Sequence, residues 1–225
     1  MVKRVSVDVI SKGSVKRQGF SVRRLLLAGY TGRDKVALMN HIEELSKLGV
    51  KVPERIPTCY YVSPYLLTSQ NYIEVKGKET SGEVEYVAII SKDSIYITVG
   101  SDHTDRELEK SSVSKAKQIC PKIIPRKAWK YEEIKDHWDD IVIRSFIIDN
   151  YKKRKYQEAS LKQIMRLEDL LSEFNAQEGD VLFSGTIPTI GGISYSSVFV
   201  FEMHDPVLDR KISYKYQVKM LPDIE

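Results

Sequence analysis

Cysteine is scarce in this sequence, with only Cys59 and Cys120 among 225 residues. Two cysteines exclude a disulfide framework, and they lack the repeated Cys or Cys/His spacing of a zinc site; a reducing cytoplasm fits best. Long apolar runs are also missing. No stretch approaches the roughly 20 residues that a membrane-spanning helix needs, and Met1 to Ile10 alternates apolar and polar residues where a signal peptide would be continuously apolar. Nor is there an excess of one charge: 35 Lys and Arg stand against 31 Asp and Glu, leaving a net +4. That balance is far from the one-sided charge of a dedicated nucleic-acid binder. These deficits together describe a soluble, cytoplasmic protein with neither a membrane nor a nucleic acid as its partner.

What is present suffices for one sizeable core, since 42% of residues are hydrophobic. The expected organisation is a single domain, 1–225, in which about 1–75 carries a prominent helix and about 76–225 forms a β-rich core. Val5 to Ile10 and Ser21 to Ala28 read as strands. Thr31 and Asp34 stand in capping-box spacing ahead of an apolar stripe of Leu38, Ile42, Leu45 and Leu48, and Gly49 supplies a stop, so the spacing predicts a helix from Asp34 to Leu48. Thr58 to Val62, Glu83 to Ile90, Ile95 to Val99, Ile141 to Ile148, Val181 to Phe183, Ser196 to Phe201 and Ile212 to Val218 read as strands. Tyr131 to Asp140 and Gln163 to Phe174 read as helices.

Strand alternation points Glu83 and Glu85 the same way as Val87 and Ile89, so two carboxylates head a face that becomes apolar. Like charges held together near a core need a proton, a basic partner or a cation to compensate them. If Ile90 faces Ser94 across a three-residue link, Glu83 lies opposite Ser101 and Asp102 comes to the same end of the sheet. Three hard oxygen donors suit Mg²⁺ or Mn²⁺, with Ca²⁺ as a substitute, whereas zinc would favour His or Cys. The alternative is a solvated sheet face. His41 lies in the apolar stripe of the helix with Glu44 three residues on, close enough to share a proton with the imidazole or simply packed and solvated. Arg106 and one of Lys115, Lys117 and Lys122 are candidates to bind an anionic substrate. Tyr151-Lys152-Lys153-Arg154-Lys155-Tyr156 interleaves aromatic and basic residues, which reads as a charged strand end rather than a nucleic-acid surface.

The order His41…Glu44, Glu83-Val84-Glu85, Asp102 with Arg106, a lysine, and then Gly179 to Thr186 resembles the fumarylacetoacetate hydrolase-like superfamily. His41 to Val50, Ser81 to Glu85, Gly100 to Glu109, Cys120-Pro121-Lys122 and His137-Trp138-Asp139 look like an uncharacterised bacterial and archaeal branch of it. The resemblance implies an α+β, β-rich fold, a mixed sheet rolled into a barrel-like core with a few helices, in a homodimer. It implies Glu83, Glu85 and Asp102 as metal ligands, and His41, Glu44 and Lys117 as catalytic residues, with Lys115 as the other lysine register. Arg106, Gly185 and Thr186 become substrate contacts. The implied function is a divalent-metal-dependent hydrolase or lyase that acts on a small 2-oxo or 1,3-dicarbonyl acid through a metal-stabilised enolate. The alternatives are a decarboxylase, dehydratase or tautomerase on the same site, or a binding protein that keeps the metal without turnover. Ser81 in place of a frequent His, Glu109 in place of Gln, and the Thr189-Ile190-Gly191-Gly192 continuation depart from the pattern and bear on the substrate.

Overall fold

The computed structural model describes residues 2–36, 38, 39, 42, 43 and 53–222. The chain opens with a hairpin of β1 (Lys3–Ser11) and β2 (Ser14–Val22). Its two-residue turn, Lys12-Gly13, places both residues at positive φ, as the tight hairpin geometry requires. The expected strand from Ser21 to Ala28 is in fact two. The chain breaks at Arg23, whose N–H donates to Gly179 O (2.7 Å), because β2 pairs with β1 while β3 (Arg24–Gly29) pairs with a different part of the sheet.

The remaining strands are β4 (Thr58–Val62), β5 (Leu67–Thr68), β6 (Tyr72–Val75), β7 (Thr80–Ile90), β8 (Ile95–Asp105), β9 (Lys122–Ile123) and β10 (Lys127–Lys130). They continue with β11 (Val142–Asp149), β12 (Lys152–Ser160), β13 (Asp180–Phe183), β14 (Val198–Asp205) and β15 (Arg210–Met220). A mixed sheet runs β2-β1-β10-β8-β7-β13-β3-β4, with β9 attached to β8 and β5 to β9. A second sheet runs β12-β11-β14-β15-β6. Strands from before and after residue 75 therefore share the first sheet.

Two apolar clusters explain the arrangement. Val84, Tyr86, Ala88, Ile97, Val99 and Trp129 on one side of the first sheet pack with Ile143, Phe199, Phe201 and Tyr216 of the second. On the other side, Val7, Val9 and Phe20 from one edge join Leu25, Leu27 and Val62 from the opposite edge and Val87, Ile89 and Phe183 from the centre. A flat sheet cannot bring its two edges into one cluster, so the first sheet is rolled around its own apolar interior. The fold is thus α+β and strand-rich, a rolled mixed sheet backed by a second sheet and a few short helices.

Several local expectations shift. Ile90 pairs with Ile95, not Ser94, because Ser91 to Ser94 form a four-residue link closed by Ser91 N–H to Ser94 O (3.1 Å). Lys152 to Ser160 is a full strand that pairs with β11, so the basic run alternates faces, with Tyr156 buried and Tyr151 exposed at the hairpin tip. The charged segment after β8 folds into α1 (Arg106–Glu109) and α2 (Val113–Gln118), each begun by a side-chain cap, from Asp105 and Ser112 respectively. Tyr131 to Asp140 is two 3₁₀ turns, Tyr131–Glu133 and Lys135–Asp140. The last helix, α3, is only Leu167–Glu173, since Leu161–Gln163 is a separate 3₁₀ turn and Arg166 is extended. Thr31 does not form a capping box: its hydroxyl donates to Ser184 O (2.7 Å), and Asp34 alone accepts from Val36 N–H (2.9 Å). Helical backbone follows at Lys35, Val36, Leu38, Met39, Ile42 and Glu43. Among the described residues no helix is long and apolar enough to cross a membrane.

Candidate functional site

The corrected register strengthens the carboxylate cluster. Glu83 pairs directly with Asp102, and Glu85 with Gly100, so all three acids stand on the face that continues into Val87 and Ile89 inside the rolled sheet. Antiparallel pairing of β7 with β13 brings the loop after Phe183 to the same end. Parallel pairing of β13 with β3 brings Tyr30 and Thr31 there too. These ends enclose a cleft of about 1390 Å³, with Glu83, Glu85, Arg106 and Lys117 in its wall.

Each acid has its own partner. Asp102 is wholly buried between two lysines: Lys117 Nζ donates to Oδ2, and Lys122 Nζ lies 2.8 Å from Oδ1. Lys122 also donates to His103 O (2.5 Å). Glu83 meets Arg106, whose two terminal nitrogens bridge Glu83 Oε2 and Glu109 Oε2 at 2.8 Å each. Glu85, 2% exposed, accepts from the Gly185 N–H at 2.8 Å. Across the strand pair from Glu85 stands Gly100, where a Cβ would lie 2.6 Å from Val87 and 2.7 Å from Phe183, so packing of those side chains against β8 requires glycine.

The electrostatics follow from this wiring. Burial, and then the Asp102 carboxylate, push Glu85 well above the ordinary carboxylate range, and the pull of Lys117 and the Gly185 N–H is smaller. Burial acts the same way on Asp102, but Lys117 and Lys122 outweigh it and hold that acid low. The two lysines diverge although both touch Asp102. Burial lowers Lys117 less than Asp102, Glu85, Glu109 and Glu83 together raise it, whereas for Lys122 burial, joined by repulsion from Lys117, wins over Asp102.

Of the residues expected at the site, Glu83, Glu85, Asp102, Arg106, Lys117, Gly185 and Thr186 come together. Lys115 does not. It is exposed, because two residues along α2 turn a side chain to the opposite side of the helix. His41 and Glu44 lie outside the described residues. Lys122, in the sequence one of three lysine candidates for an anionic substrate, is fully buried and is instead the second cation on Asp102. Gln157 was not visible in the sequence at all. It sits on β12 and donates to Thr186 Oγ1 (2.8 Å) and Ile187 O (2.7 Å). Cys120 is buried, and burial pushes its thiol up to about 11.

Among the described residues, no three His, Cys, Asp or Glu side chains are gathered closely enough to hold one ion as they stand. The donor set itself suits a hard cation. It consists of carboxylate oxygens on one sheet face, one of them buried and short of positive charge.

A family model described as a protein of unknown function, DUF2848, matches residues 28–216. The chain belongs to the DUF2848 family. No curated protein matches it significantly. Among solved structures, this DUF2848 protein is similar to a putative fumarylacetoacetate isomerase/hydrolase from Oleispira antarctica, with TM-score 0.63, 14% identity, and 96% of this chain and 100% of that one covered. It is also similar to 5-carboxymethyl-2-hydroxymuconate delta-isomerase from Mycobacterium smegmatis, with TM-score 0.62, 12% identity, and coverage of 99% and 94%. A third is 2-keto-3-deoxy-D-arabinonate dehydratase complexed with magnesium and 2,5-dioxopentanoate, with TM-score 0.62, 13% identity, and coverage of 89% and 74%. At such identities the likeness is one of fold, and this DUF2848 protein has a fumarylacetoacetate hydrolase-like fold.

Proposed function

We propose that this protein is a divalent-cation-dependent enzyme that acts on a small 2-oxo or 1,3-dicarbonyl acid, with Glu83, Glu85 and Asp102 as the ligands of Mg²⁺ or Mn²⁺. The observation that carries the reading is the pairing of Glu83 with Asp102, with Glu85 two residues along the same face at the wall of the cleft. Support comes from a neighbour with the same fold, the 2-keto-3-deoxy-D-arabinonate dehydratase, which is complexed with magnesium and 2,5-dioxopentanoate. When bound, such a cation supplies Lewis-acid polarisation of the substrate's oxygens.

The chain's own residues do the rest. Arg106 bridges Glu83 and Glu109, fixing one acid and presenting positive charge to an anionic substrate. Lys117, 7% exposed and paired with Asp102, which helps raise its pKa above the ordinary lysine value, lines the cleft. Gly185 holds Glu85 in place through its N–H. His41 and Glu44 are the proposed acid/base pair. Hydrolytic carbon–carbon cleavage is the reaction we favour, and the dehydratase and isomerase among the fold's neighbours support related lyase or tautomerase chemistry as the second reading. The superfamily resemblance adds a homodimer, which sedimentation would check, and the two free cysteines suit a cytoplasmic setting.

The test is calorimetric titration of Mg²⁺ or Mn²⁺ into wild type and Glu85→Gln, followed by turnover of acylpyruvates, oxaloacetate and 2-keto-3-deoxy sugar acids by wild type and His41→Ala. Cation binding that depends on Glu85, with turnover that depends on His41, is the expected result. Absence of cation binding by the wild-type protein would sink the metal assignment, and equal rates for wild type and His41→Ala would remove His41 from the mechanism.

A further inference from the structure

The segment Thr189-Ile190-Gly191-Gly192, where the sequence departs from the superfamily pattern, opens a turn that leaves large apolar side chains uncovered. Ile190 is 50% exposed, Ile193 49% and Tyr195 46%. The backbone beneath them is fixed. Gly191 and Gly192 both take positive φ, 79° and 83°, which turns the chain tightly. On either side of the two glycines the turn is pinned to β12. Thr189 pairs with Gln157 in an isolated antiparallel bridge, Ile190 N–H donates to Tyr156 O (2.8 Å), and Ser194 N–H donates to the Tyr156 hydroxyl (3.2 Å). Tyr156 and Gln157 are themselves wholly buried, so the exposed apolar side chains stand on a ledge that the second sheet holds in place.

Two of those three side chains belong to the cleft. Ile193 and Tyr195 are in its wall together with Ile187 of the same turn, while Ile190 is not. A second apolar contribution comes from α2 and β4. Val113 stands four residues before Lys117, about one helical turn, so the face of α2 that brings Lys117 to the cleft brings Val113 there as well. Tyr60 lies beside them, its ring centroid 5.9 Å from Lys117 Nζ. The cleft thus holds a charged part, at Glu83, Glu85, Arg106 and Lys117, and an apolar part in the same enclosure. Its volume of about 1390 Å³ exceeds the roughly 300–1,000 Å³ that suits a drug-sized ligand, and an acid as small as pyruvate would leave the apolar part in water.

We infer that the substrate carries an apolar tail, and that Ile193 and Tyr195 are the residues that select it. This rests on the reading of the site given above and narrows its substrate class to 2-oxo or 1,3-dicarbonyl acids with a tail of several carbons. The acid end meets the charged part of the cleft, and the tail leaves water for Ile193, Tyr195 and Val113. Uncovered apolar surface inside a cleft gains free energy only when something apolar covers it, and the remainder of the molecule held at the acid cluster is within the same enclosure. A polyhydroxylated chain in that position would give up hydrogen bonds to water against Ile193 and receive none in return.

The experiment measures calorimetric binding of pyruvate, 2-oxobutanoate, 2-oxohexanoate and 2-oxooctanoate to the Mg²⁺-loaded protein, with oxalate as the reference that has no tail. Wild type is expected to bind about two- to fourfold tighter for each methylene added beyond pyruvate. Ile193→Ser and Tyr195→Ser should each lower the ratio of 2-oxooctanoate to oxalate affinity by about fivefold or more, and Ile193→Leu should keep it. Ile190→Ser changes the same turn outside the cleft wall and should leave the ratio as in wild type. The inference is overturned if affinity for the wild type does not rise with chain length while oxalate binds, or if Ile190→Ser lowers the ratio as much as Ile193→Ser. It is also overturned if Ile193→Ser changes the sedimentation coefficient and leaves the ratio alone, which would make this surface a contact between copies of the chain. Failure of oxalate and all four 2-oxo acids to bind the loaded protein would instead count against the site reading itself.

Discussion

Glu83 lies directly across the β7–β8 pair from Asp102, yet the two carboxylates turn to different cations, Glu83 to Arg106 and Asp102 to Lys117 and Lys122. Like charges opposite one another in a sheet are unfavourable on their own, so the cations on either side permit this pairing. The relationship makes the arginine and the two lysines part of the acid cluster rather than neighbours of it.

Arg106→Lys tests the bridge. One ammonium cannot reproduce the two separated nitrogens that reach Glu83 and Glu109, so a part-buried carboxylate loses its partner. We expect a loss of about 1–3 kcal/mol in stability, read by urea denaturation, and a fall in kcat/KM on whichever acid the wild type turns over.

Lys117→Met and Lys115→Met separate the two lysine registers. Lys117→Met leaves Asp102 with Lys122 alone and removes a cation from the cleft, and a drop of roughly a hundredfold or more in kcat/KM is expected. The exposed Lys115 should tolerate the change within about 0.5 kcal/mol of stability. Equal effects of the two changes on kcat/KM would mean that α2 is turned differently in solution.

Gly100→Ala tests the packing of β8 against Val87 and Phe183. The new Cβ would fall 2.6 Å from Val87 Cγ2, 2.7 Å from Phe183 Cε1 and 3.0 Å from Ile123 O, the last of these backbone that cannot yield. Overpacking of this kind costs about 1–3 kcal/mol, and a melting temperature lower by roughly 2–4 °C for each kcal/mol should follow.

Asp205 gives a pH dependence away from the cleft. Burial would raise this acid, but the Leu208 N–H, His137 and Arg210 outweigh it and hold it below the ordinary range. A carboxyl whose folded value is depressed stabilises the protein above its unfolded value, about 3.9, and that stabilisation is lost as pH falls through the folded value. Wild type should therefore lose stability steeply below about pH 4. Asp205→Asn should be less stable at pH 7 by about 2 kcal/mol and show a flatter acid limb in thermal melts at graded pH.

The amino-acid sequence by itself determined what depends on near neighbours along the chain. Alternation in Glu83-Val84-Glu85 put two acids on one face, and β-branched and aromatic runs marked most strands. The order of His41 and Glu44, Glu83-Val84-Glu85, Asp102 with Arg106, a lysine and Gly179 to Thr186 carried the resemblance, and the fold it implied is the one the structure has. The tertiary structure decided whatever depends on residues far apart in sequence. The β7–β8 register moved by one residue because the link has four residues, not three, and only that shift sets Glu83 against Asp102. Lys117 prevails over Lys115 because α2 packs one side of itself toward the cleft. Lys122 and Gln157 took their places because β9 pairs with β8 at Asp102 and the second sheet lays β12 against Val84 and the Thr186 turn, residues distant from them in sequence. Hydrogen bonds and ion pairs of that reach are fixed by packing, and no local pattern of side chains encodes them.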